Sequence, residues 1–329
     1  MYQKAKPLHI KGSASLLYNN LSVLAMPEKN MASYGVVHKS TVCLANCSND
    51  TMNVNHKQVA CKEPSAALSQ LTMILQAKFC SLPSRSLLVM CYQRASRYIF
   101  ESDGSALVFW HALSNADPAA GFLFARGIAV VGDAYIAVGT SQGSILVFSI
   151  PARGTNIMLS ETLTGHNYAI SDMAGQGTKM ASGDDSGCIT IWEGGEKFKQ
   201  ITRINGSGTS CSSVCLYDDL VIAGYGTGHV RLFDSDKGHM MVEICAHAKW
   251  IHAIDVAPST GLLLTSGEDT CVRVWSIQKA ENGAKVSLEY SDSVTDVQLT
   301  GAKFMDSDGK AFGVTGYDLN EIVVFKQKV

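Results

Sequence analysis

Along most of the chain, a short apolar run, a polar turn and a run of alternating apolar and polar residues follow one another. The stretch LLLTSGEDTCVRVWSI, residues 262–277, shows this pattern most clearly and carries Trp275 near its end. Two such runs joined by a turn rich in glycine and acidic residues predict a β-hairpin. The pattern recurs at KMASGDDSGCITIWE (179–193), AYIAVGTSQGSILVFSI (134–150), LVIAGYGTGHVRLFDS (220–235), AFGVTGYDLNEIVVFKQ (311–327), RSLLVMCYQRASRYIFE (85–101) and ASYGVVHKSTVCLAN (32–46).

One large apolar residue near the end of each copy marks the repeat. These anchors are Leu44, Phe100, Phe148, Trp192, Phe233, Trp275 and Phe325. Successive anchors lie 56, 48, 44, 41, 42 and 50 residues apart. A period of about 40–50 residues, with room for four short strands and glycine turns, is typical of β-propeller blades. Because no long segment has the 3.6-residue period of a helix, we predict an all-β, seven-bladed propeller.

The repeats place residues 1–329 in a single domain. The seventh unit leaves no room for a fourth strand, whereas residues 5–12 precede the first unit and have no other place. We predict that this N-terminal strand completes the last blade and closes the ring, which removes an open sheet edge. Residues 46–69, polar and weakly patterned, are interpreted as an outer strand and loop of the first blade. The predicted blades are 13–63, 64–115, 116–162, 163–203, 204–245, 246–291, and 292–329 together with 5–12.

Composition and charge disfavour several classes of protein. The 329 residues are 46% hydrophobic and 17% charged, and the formal net charge of −2 lacks the basic excess of a nucleic-acid binder. No apolar segment has the length of a signal-peptide core or a transmembrane helix, so we expect no membrane insertion. The ten cysteines form no C-x-x-C pair and are interpreted as reduced thiols of a cytoplasmic protein.

Two of the repeats carry polar residues that resemble the WD40 repeat. In the sixth repeat these residues are His247, Thr265, Asp269 and Trp275, and in the fourth they are His166, Ser182, Asp185 and Trp192. In that family a histidine, a serine or threonine, an aspartate and a tryptophan form a hydrogen-bonded tetrad within one blade. The resemblance implies the same structural role here, and a buried polar chain of this kind must be complete to be stable.

The spacing of the acid differs between these two repeats. Asp269 lies six residues before Trp275, which is the family spacing. In the fourth repeat that place holds Ser186, and the assigned Asp185 lies one residue earlier. Further segments resemble one particular WD40 protein along nearly the whole chain, which implies an interaction protein without known catalysis. They are NLSVL (20–24), WHAL (110–113), FARGIA (124–129), AGYGTGHV (223–230), GEDT (267–270) and VTGYDLNEI (314–322).

Two glycine-rich segments imitate catalytic motifs. GTSQG, residues 139–143, matches the G-x-S-x-G nucleophile elbow, and GYGTG, residues 224–228, resembles a phosphate-binding loop. Both motifs require a helix after the turn, whereas both segments here precede an alternating run that predicts a strand. We interpret them as hairpin turns and predict no enzyme activity, no cofactor and no metal site.

A propeller without catalytic groups is expected to act through the loops at one rim. Trp250 lies three residues after His247, at the entry to the inner strand of the sixth blade, and an exposed tryptophan is a frequent interface anchor. Arg126 has a related position before the inner strand of the third blade. The other candidate contacts, near turns of the same rim, are Tyr168, Tyr225, Tyr317, Glu268 and Asp318.

We therefore predict a non-catalytic scaffold or adaptor that binds protein partners, and neither nucleic acid nor membrane, through the propeller rim. One alternative is a peptide reader with an aromatic and acidic rim pocket. The other is a substrate receptor of a ubiquitin ligase complex, a use of WD40 propellers that often carries W-D-x-R at the end of a third strand. Here those endings are Trp192-Glu193-Gly194 and Trp275-Ser276-Ile277, so that docking sequence is missing.

Overall fold

The computed structural model of the protein describes residues 1–48, 54–60, 72–93, 96–112, 123–280 and 283–328. These residues form seven antiparallel sheets. The innermost strand of each sheet contacts the innermost strands of both neighbouring sheets, so the sheets close into a ring around a central channel. The predicted all-β, seven-bladed propeller is confirmed. Within the described ranges, the helical content is one 3-10 turn, Pro27–Lys29.

The strands follow one another along the chain from the inside of each sheet to the outside. Two short N-terminal strands come first, β1 (Tyr2–Lys4) and β2 (Leu8–His9). The first three sheets are β3 (Ser22–Met26), β4 (Met31–His38), β5 (Thr41–Ser48) and β6 (Val54–Ala60); β7 (Ile74–Ser81), β8 (Ser86–Tyr92), β9 (Ser96–Glu101) and β10 (Leu107–Ala112); and β11 (Ala125–Val131), β12 (Tyr135–Thr140), β13 (Ser144–Ser149) and β14 (Met158–Thr164).

The remaining sheets repeat this order. The fourth to sixth sheets are β15 (Ile170–Gln176), β16 (Lys179–Asp184), β17 (Ile189–Glu193) and β18 (Lys199–Ile204); β19 (Cys211–Tyr217), β20 (Leu220–Tyr225), β21 (His229–Asp234) and β22 (Met240–Cys245); and β23 (Ile251–Ala257), β24 (Leu262–Gly267), β25 (Cys271–Ala280) and β26 (Gly283–Ser293). The seventh contains β27 (Leu299–Phe304), β28 (Ala311–Gly316) and β29 (Glu321–Gln327).

All seven anchor residues lie on the third strand of a sheet and are buried. This strand is paired on both sides, so alternate side chains pack against the neighbouring blades. The cores accordingly lie between blades. One cluster joins the fourth and fifth blades, from Ile189 on β17 to Val221 on β20.

The N-terminal residues close the ring on the outer side of β29. Tyr2 of β1 pairs with Gln327, and Leu8 of β2 pairs with Ile322. The Tyr2 ring also packs against Phe312, with 5.0 Å between ring centroids. The predicted closure of the last blade by the N-terminus is therefore confirmed, with two short strands in place of one continuous strand over residues 5–12.

Both glycine-rich segments that imitate catalytic motifs are hairpin turns between strands. Gly143 lies between β12 and β13, and Gly228 lies between β20 and β21, with φ of 79° and 82°. A Cβ atom at these positions would lie against the carbonyl oxygens of His166 and His247 in the next blade. The glycines are therefore required by positive φ and by close packing between blades.

In the first blade, β6 is the outer strand, whereas residues 49–53 and 61–69 of the segment predicted as outer strand and loop lie outside the described residues. Residue 113, the last of the WHAL segment, also lies outside them. Within the described part of the chain, none of the helical structure has the length and hydrophobicity to span a membrane.

Candidate partner-binding site at the channel mouth

The sixth blade contains a complete buried hydrogen-bond chain. The Trp275 indole N–H donates to Thr265 Oγ1 at 3.0 Å, and Thr265 Oγ1 lies 2.9 Å from Nε2 of His247. His247 Nδ1 lies 2.8 Å from a carboxylate oxygen of Asp269. Because the indole can only donate and the carboxylate can only accept, the threonine hydroxyl donates to Nε2 and the Nδ1–H donates to Asp269. The four side chains lie together as the sequence resemblance implied.

The fourth blade contains the same chain with a different acid. Trp192 Nε1 donates to Ser182 Oγ at 2.9 Å, and Ser182 Oγ lies 2.8 Å from Nε2 of His166. His166 Nδ1 lies 2.7 Å from Asp184, not Asp185. Assigning Asp185 to the tetrad was therefore wrong.

The error in that assignment came from the position of the acid within the hairpin, since the two hairpins have the same length. Asp184 is the last residue of β16, fully buried, and it also accepts hydrogen bonds from the backbone N–H groups of Ser186 and Cys188. Asp184 lies eight positions before Trp192, whereas Asp269 lies six positions before Trp275. A spacing measured from the tryptophan therefore misses the acid in the fourth blade.

Burial and the carboxylate act in opposite directions on the two tetrad histidines. Burial lowers the pKa of His247 below its ordinary value, despite the hydrogen bond to Asp269. Burial is the largest influence on His166 and would lower its pKa, but the hydrogen bonds and charge interactions with Asp184 and Cys188 together outweigh burial, so the pKa is raised. His166, Asp184 and Cys188 could together offer three metal-ligand atoms within 4.8 Å of one another. Both ring nitrogens of His166 already have hydrogen-bond partners in the tetrad, so we assign this group to the scaffold.

A cavity of about 680 Å³ lies at the mouth of the channel and is the candidate site, called here the mouth cavity. Its walls combine aromatic and aliphatic side chains with a few polar groups. They are Leu16, Leu17, Tyr18, Leu75, Gln93, Phe124, Arg126, Trp250, His252, Glu268 and Gln298. A concave, mostly apolar site with a small number of polar groups is the usual form of a binding pocket.

The segment before the first blade forms one side of the mouth cavity. Asn19 N–H donates to the His252 carbonyl at 2.9 Å, and Asn20 N–H donates to the Thr300 carbonyl at 3.0 Å. The Asn19 side chain donates to Asp172 at 2.9 Å. These bonds carry the segment across the inner strands of blades four, six and seven. Asn19 has φ of 52°, a left-handed conformation that asparagine tolerates better than most residues.

Tyr18 connects the two residues that the sequence singled out at this rim. Its ring stacks on Trp250, with 5.8 Å between centroids and 14° between planes. The Arg126 guanidinium lies 5.7 Å from the Tyr18 ring centroid, within cation–π range. Trp250 nevertheless keeps 36% of its surface exposed. It therefore packs on Tyr18 and also presents indole surface to the mouth cavity.

The polar groups of the mouth cavity are held by defined partners. Arg126 donates to Asp185 at 2.9 Å, so the acid wrongly assigned to the tetrad instead orients this guanidinium. Glu268 accepts from Gln298 at 3.3 Å and lies 3.6 Å from the Lys249 ammonium. These two contacts are long and the glutamate side chain is 28% exposed, so its carboxylate can accept from an incoming group.

His252 adds a neutral acceptor. Its Nδ1 lies 2.7 Å from the Leu299 carbonyl, so this nitrogen carries the proton and Nε2 has a lone pair. Burial lowers the pKa of His252, which favours the uncharged ring. The Tyr18 ring lies 5.2 Å from the imidazole. The mouth cavity thus offers aromatic surface, one carboxylate and one imidazole acceptor.

The structure brings together three of the seven predicted contacts, Trp250, Arg126 and Glu268. Tyr225 is only 2% exposed, so its prediction as a partner contact was wrong. Its ring lies between blades, under the Arg231 guanidinium at 4.7 Å. The other three, Tyr168, Tyr317 and Asp318, are exposed but do not line the mouth cavity.

Sequence reasoning missed Tyr18, Leu16 and Leu17. They belong to SLLYNN, residues 15–20, which has no strand pattern and precedes the first repeat. An apolar pair and an aromatic residue outside any predicted strand were the available signal. Phe124 and Leu75 were also missed, because only the folded ring brings the entries of blades two and three to the channel.

Seven sheets in a ring, with His–Ser/Thr–Trp chains closed by aspartate, define a WD40 β-propeller. The WD40 beta propeller domain of Doa1 matches with a TM-score of 0.71 and 18% identity, over 100% of this chain and 97% of that one. A chain of the mitotic checkpoint complex matches with a TM-score of 0.76 and 15% identity, over 99% and 92%. These likenesses concern the fold.

The chain belongs to the WDR54 family, whose family model matches residues 1–328. It is 40% identical over 335 residues to WD repeat domain 54 of Rattus norvegicus and to WD repeat-containing protein 54 of Mus musculus, covering 99% of each chain. The same identity extends over 332 residues of WD repeat-containing protein 54 of Homo sapiens. The closer resemblance seen in the sequence is confirmed. WD40 propellers are generally protein-interaction scaffolds and typically not enzymes.

Proposed function

We propose that this protein is a non-catalytic interaction scaffold whose protein partner inserts an anchor side chain into the mouth cavity. The observation that carries the proposal is the mouth cavity itself, about 680 Å³ with a partly exposed indole in its wall. Exposed aromatic surface in a concave site is a common centre of binding energy in protein interfaces.

The lining supports an apolar or basic anchor. Trp250 and Tyr18 supply aromatic faces that attract a cation as well as an apolar group. Glu268 contributes a carboxylate to the same cavity wall and is held only by long contacts. Arg126 is already neutralised by Asp185. The interaction is thus a peptide-reading form of the scaffold function.

Cytoplasmic localisation is part of the same proposal. None of the nine cysteines within the described ranges forms a disulfide; six are buried, Cys215 and Cys271 are partly buried, and Cys245 is exposed. Free thiols throughout a fold are typical of proteins in a reducing compartment.

The test is quantitative capture of partners from cell lysate by the wild-type protein and by a Trp250→Ala, Arg126→Ala double variant. We expect the variant to lose its partner by roughly 30-fold or more, the effect of removing an interface hot spot of about 2 kcal/mol. Thermal melting should be close to that of wild type. Tyr168→Ala, which removes an aromatic residue 58% exposed outside the cavity, is the matched control and should retain capture.

Equal capture by wild type and the double variant would place the interface elsewhere on the propeller. Ubiquitin ligase adaptors among the proteins lost with the double variant would favour the substrate-receptor alternative. Direct binding of a purified, captured partner, repeated with Glu268→Gln, would then show whether its anchor is basic.

A further inference from the structure

A second cavity, of about 250 Å³, lies inside the channel and is called here the channel cavity. Asn19 is part of its wall, whereas the neighbouring Leu16, Leu17 and Tyr18 line the mouth cavity. The N-terminal segment therefore separates two compartments of the channel. Four charged side chains line the inner one, namely Lys78, Asp172, Asp255 and Lys303.

The two carboxylates of the channel cavity already accept hydrogen bonds from protein groups. Asp172 accepts from the Asn19 side chain at 2.9 Å and from the Val214 N–H at 2.9 Å. Asp255 accepts from Lys303 at 2.7 Å and from the Phe304 N–H at 2.8 Å. Both acids therefore already have short hydrogen bonds, from a lysine ammonium, a side-chain amide or backbone N–H groups, before any ligand enters the cavity.

The lysines, by contrast, have donors left over. Lys78 donates to the backbone carbonyls of Ile128 at 2.7 Å and Met173 at 3.4 Å. Among the residues that the structure describes, no carboxylate lies within ion-pair distance of its ammonium group. An ammonium has three donors, so Lys78 keeps at least one, and Lys303 keeps two beyond its bond to Asp255.

An ammonium without a counter-ion inside a protein carries a large desolvation cost. Burial accordingly lowers the pKa of Lys78, although its side chain retains contact with the space of the channel. The thiol of Cys215 in the same wall stays protonated, because burial raises its pKa. The direct hydrogen-bond partners of Lys78 are thus neutral carbonyls, and the charges of Asp172 and Asp255 act on it only from beyond ion-pair distance. A ligand with negative oxygen atoms would supply a counter-charge in direct contact.

We propose that the channel cavity binds a small oxyanion, held by the free donors of Lys78 and Lys303. The cavity volume of about 250 Å³ is several times the roughly 30 Å³ that one water occupies in the liquid, so a tetrahedral anion fits with some water. The ligand would be a phosphate, a sulfate or a carboxylate group, since each presents negatively charged oxygen atoms to the lysine donors. The site is independent of the mouth cavity, from which Asn19 divides it.

The primary test is calorimetric titration and thermal melting of the wild-type protein with inorganic phosphate, sulfate and acetate, at ionic strength held constant with sodium chloride. We expect saturable binding and a rise in the melting temperature with at least one of these anions. Strong effects of phosphate and sulfate with little effect of acetate would indicate that the site binds a tetrahedral anion. A strong effect of acetate with little effect of phosphate and sulfate would indicate that it binds a carboxylate. No saturable effect of any of the three would overturn the proposal, and this result needs no variant.

Lys78→Met tests the assignment to a residue. It should weaken anion binding by at least about tenfold, the equivalent of one charge-assisted hydrogen bond. Lys179→Met is the matched control. It removes the same charge from a lysine that lies away from the channel and forms an ion pair with Asp236, at 2.7 Å, and this variant should bind the anion as wild type does. Equal affinities for Lys78→Met and wild type would also overturn the proposal.

Discussion

The tetrad of the sixth blade makes Asp269→Ala the most informative single substitution for stability. The variant removes the acceptor for the His247 Nδ1–H, a donor on a side chain with no exposed surface. An unsatisfied buried donor costs about 1–3 kcal/mol. The variant also removes the ion pair to Arg273 at 3.3 Å, and because that arginine is 21% exposed the pair adds at most about 1 kcal/mol.

The expected loss in unfolding free energy is about 1–4 kcal/mol. The backbone N–H groups of Ala248 and Cys271 also lose Asp269 as an acceptor, but both residues are partly or fully exposed and water can replace it. For a chain of 329 residues, this loss corresponds to a fall in melting temperature of about 1–6 °C. Scanning calorimetry and urea denaturation would measure both quantities.

Asp185→Ala is the matched control, since it removes an acid of the equivalent turn whose side chain is 42% exposed and outside the tetrad. It should change stability by less than about 0.5 kcal/mol. If Asp269→Ala melted no lower than Asp185→Ala, the buried-donor argument would be refuted. Loss of partner capture by Asp269→Ala without any loss of stability would equally refute a purely structural role.

Other predictions concern pH, packing and ring closure. Because the pKa of His247 is lowered in the folded state, the unfolded chain binds more protons, and the urea midpoint should fall as pH drops through about 6.5. His247→Gln should remove that contribution, whereas His166, whose pKa is raised, contributes stability below that pH and loses it at higher pH. Tyr225→Ala should cost about 3–5 kcal/mol by calorimetry, and Tyr168→Ala less than about 0.5 kcal/mol. Deleting residues 1–11 should lower the unfolding free energy by more than about 4 kcal/mol and cause association detectable by light scattering, because buried apolar side chains are lost and β29 becomes an open edge.

The hairpins and their number could be predicted from sequence because both depend on local patterns. Alternation of apolar residues sets which face of a strand is buried, and glycine turns such as those at Gly143 and Gly228 require a positive φ wherever they occur. The tetrad of the sixth blade was also predictable, because its threonine, aspartate and tryptophan lie within one hairpin at a regular spacing, the aspartate in the turn and the other two on the strands.

The candidate site depended on contacts that no local pattern encodes. In a hairpin of the same length, the tetrad acid of the fourth blade is Asp184, two positions earlier than in the sixth blade, which leaves Asp185 to orient Arg126. Tyr225 is the last residue of β20 and Tyr168 precedes β15, yet only the packing of neighbouring blades buries the first and exposes the second.

The sequence by itself thus determined the seven hairpin repeats, the closing N-terminal segment and the polar chain of the sixth blade. Their causes, strand alternation, turn conformation and hydrogen-bond complementarity, act over a few residues or within one blade. The tertiary structure alone decided that Tyr18 stacks on Trp250 and that Asn19 divides the channel. Those contacts join residues more than 150 positions apart, such as Asn19 and Asp172, and they exist only once the ring has closed.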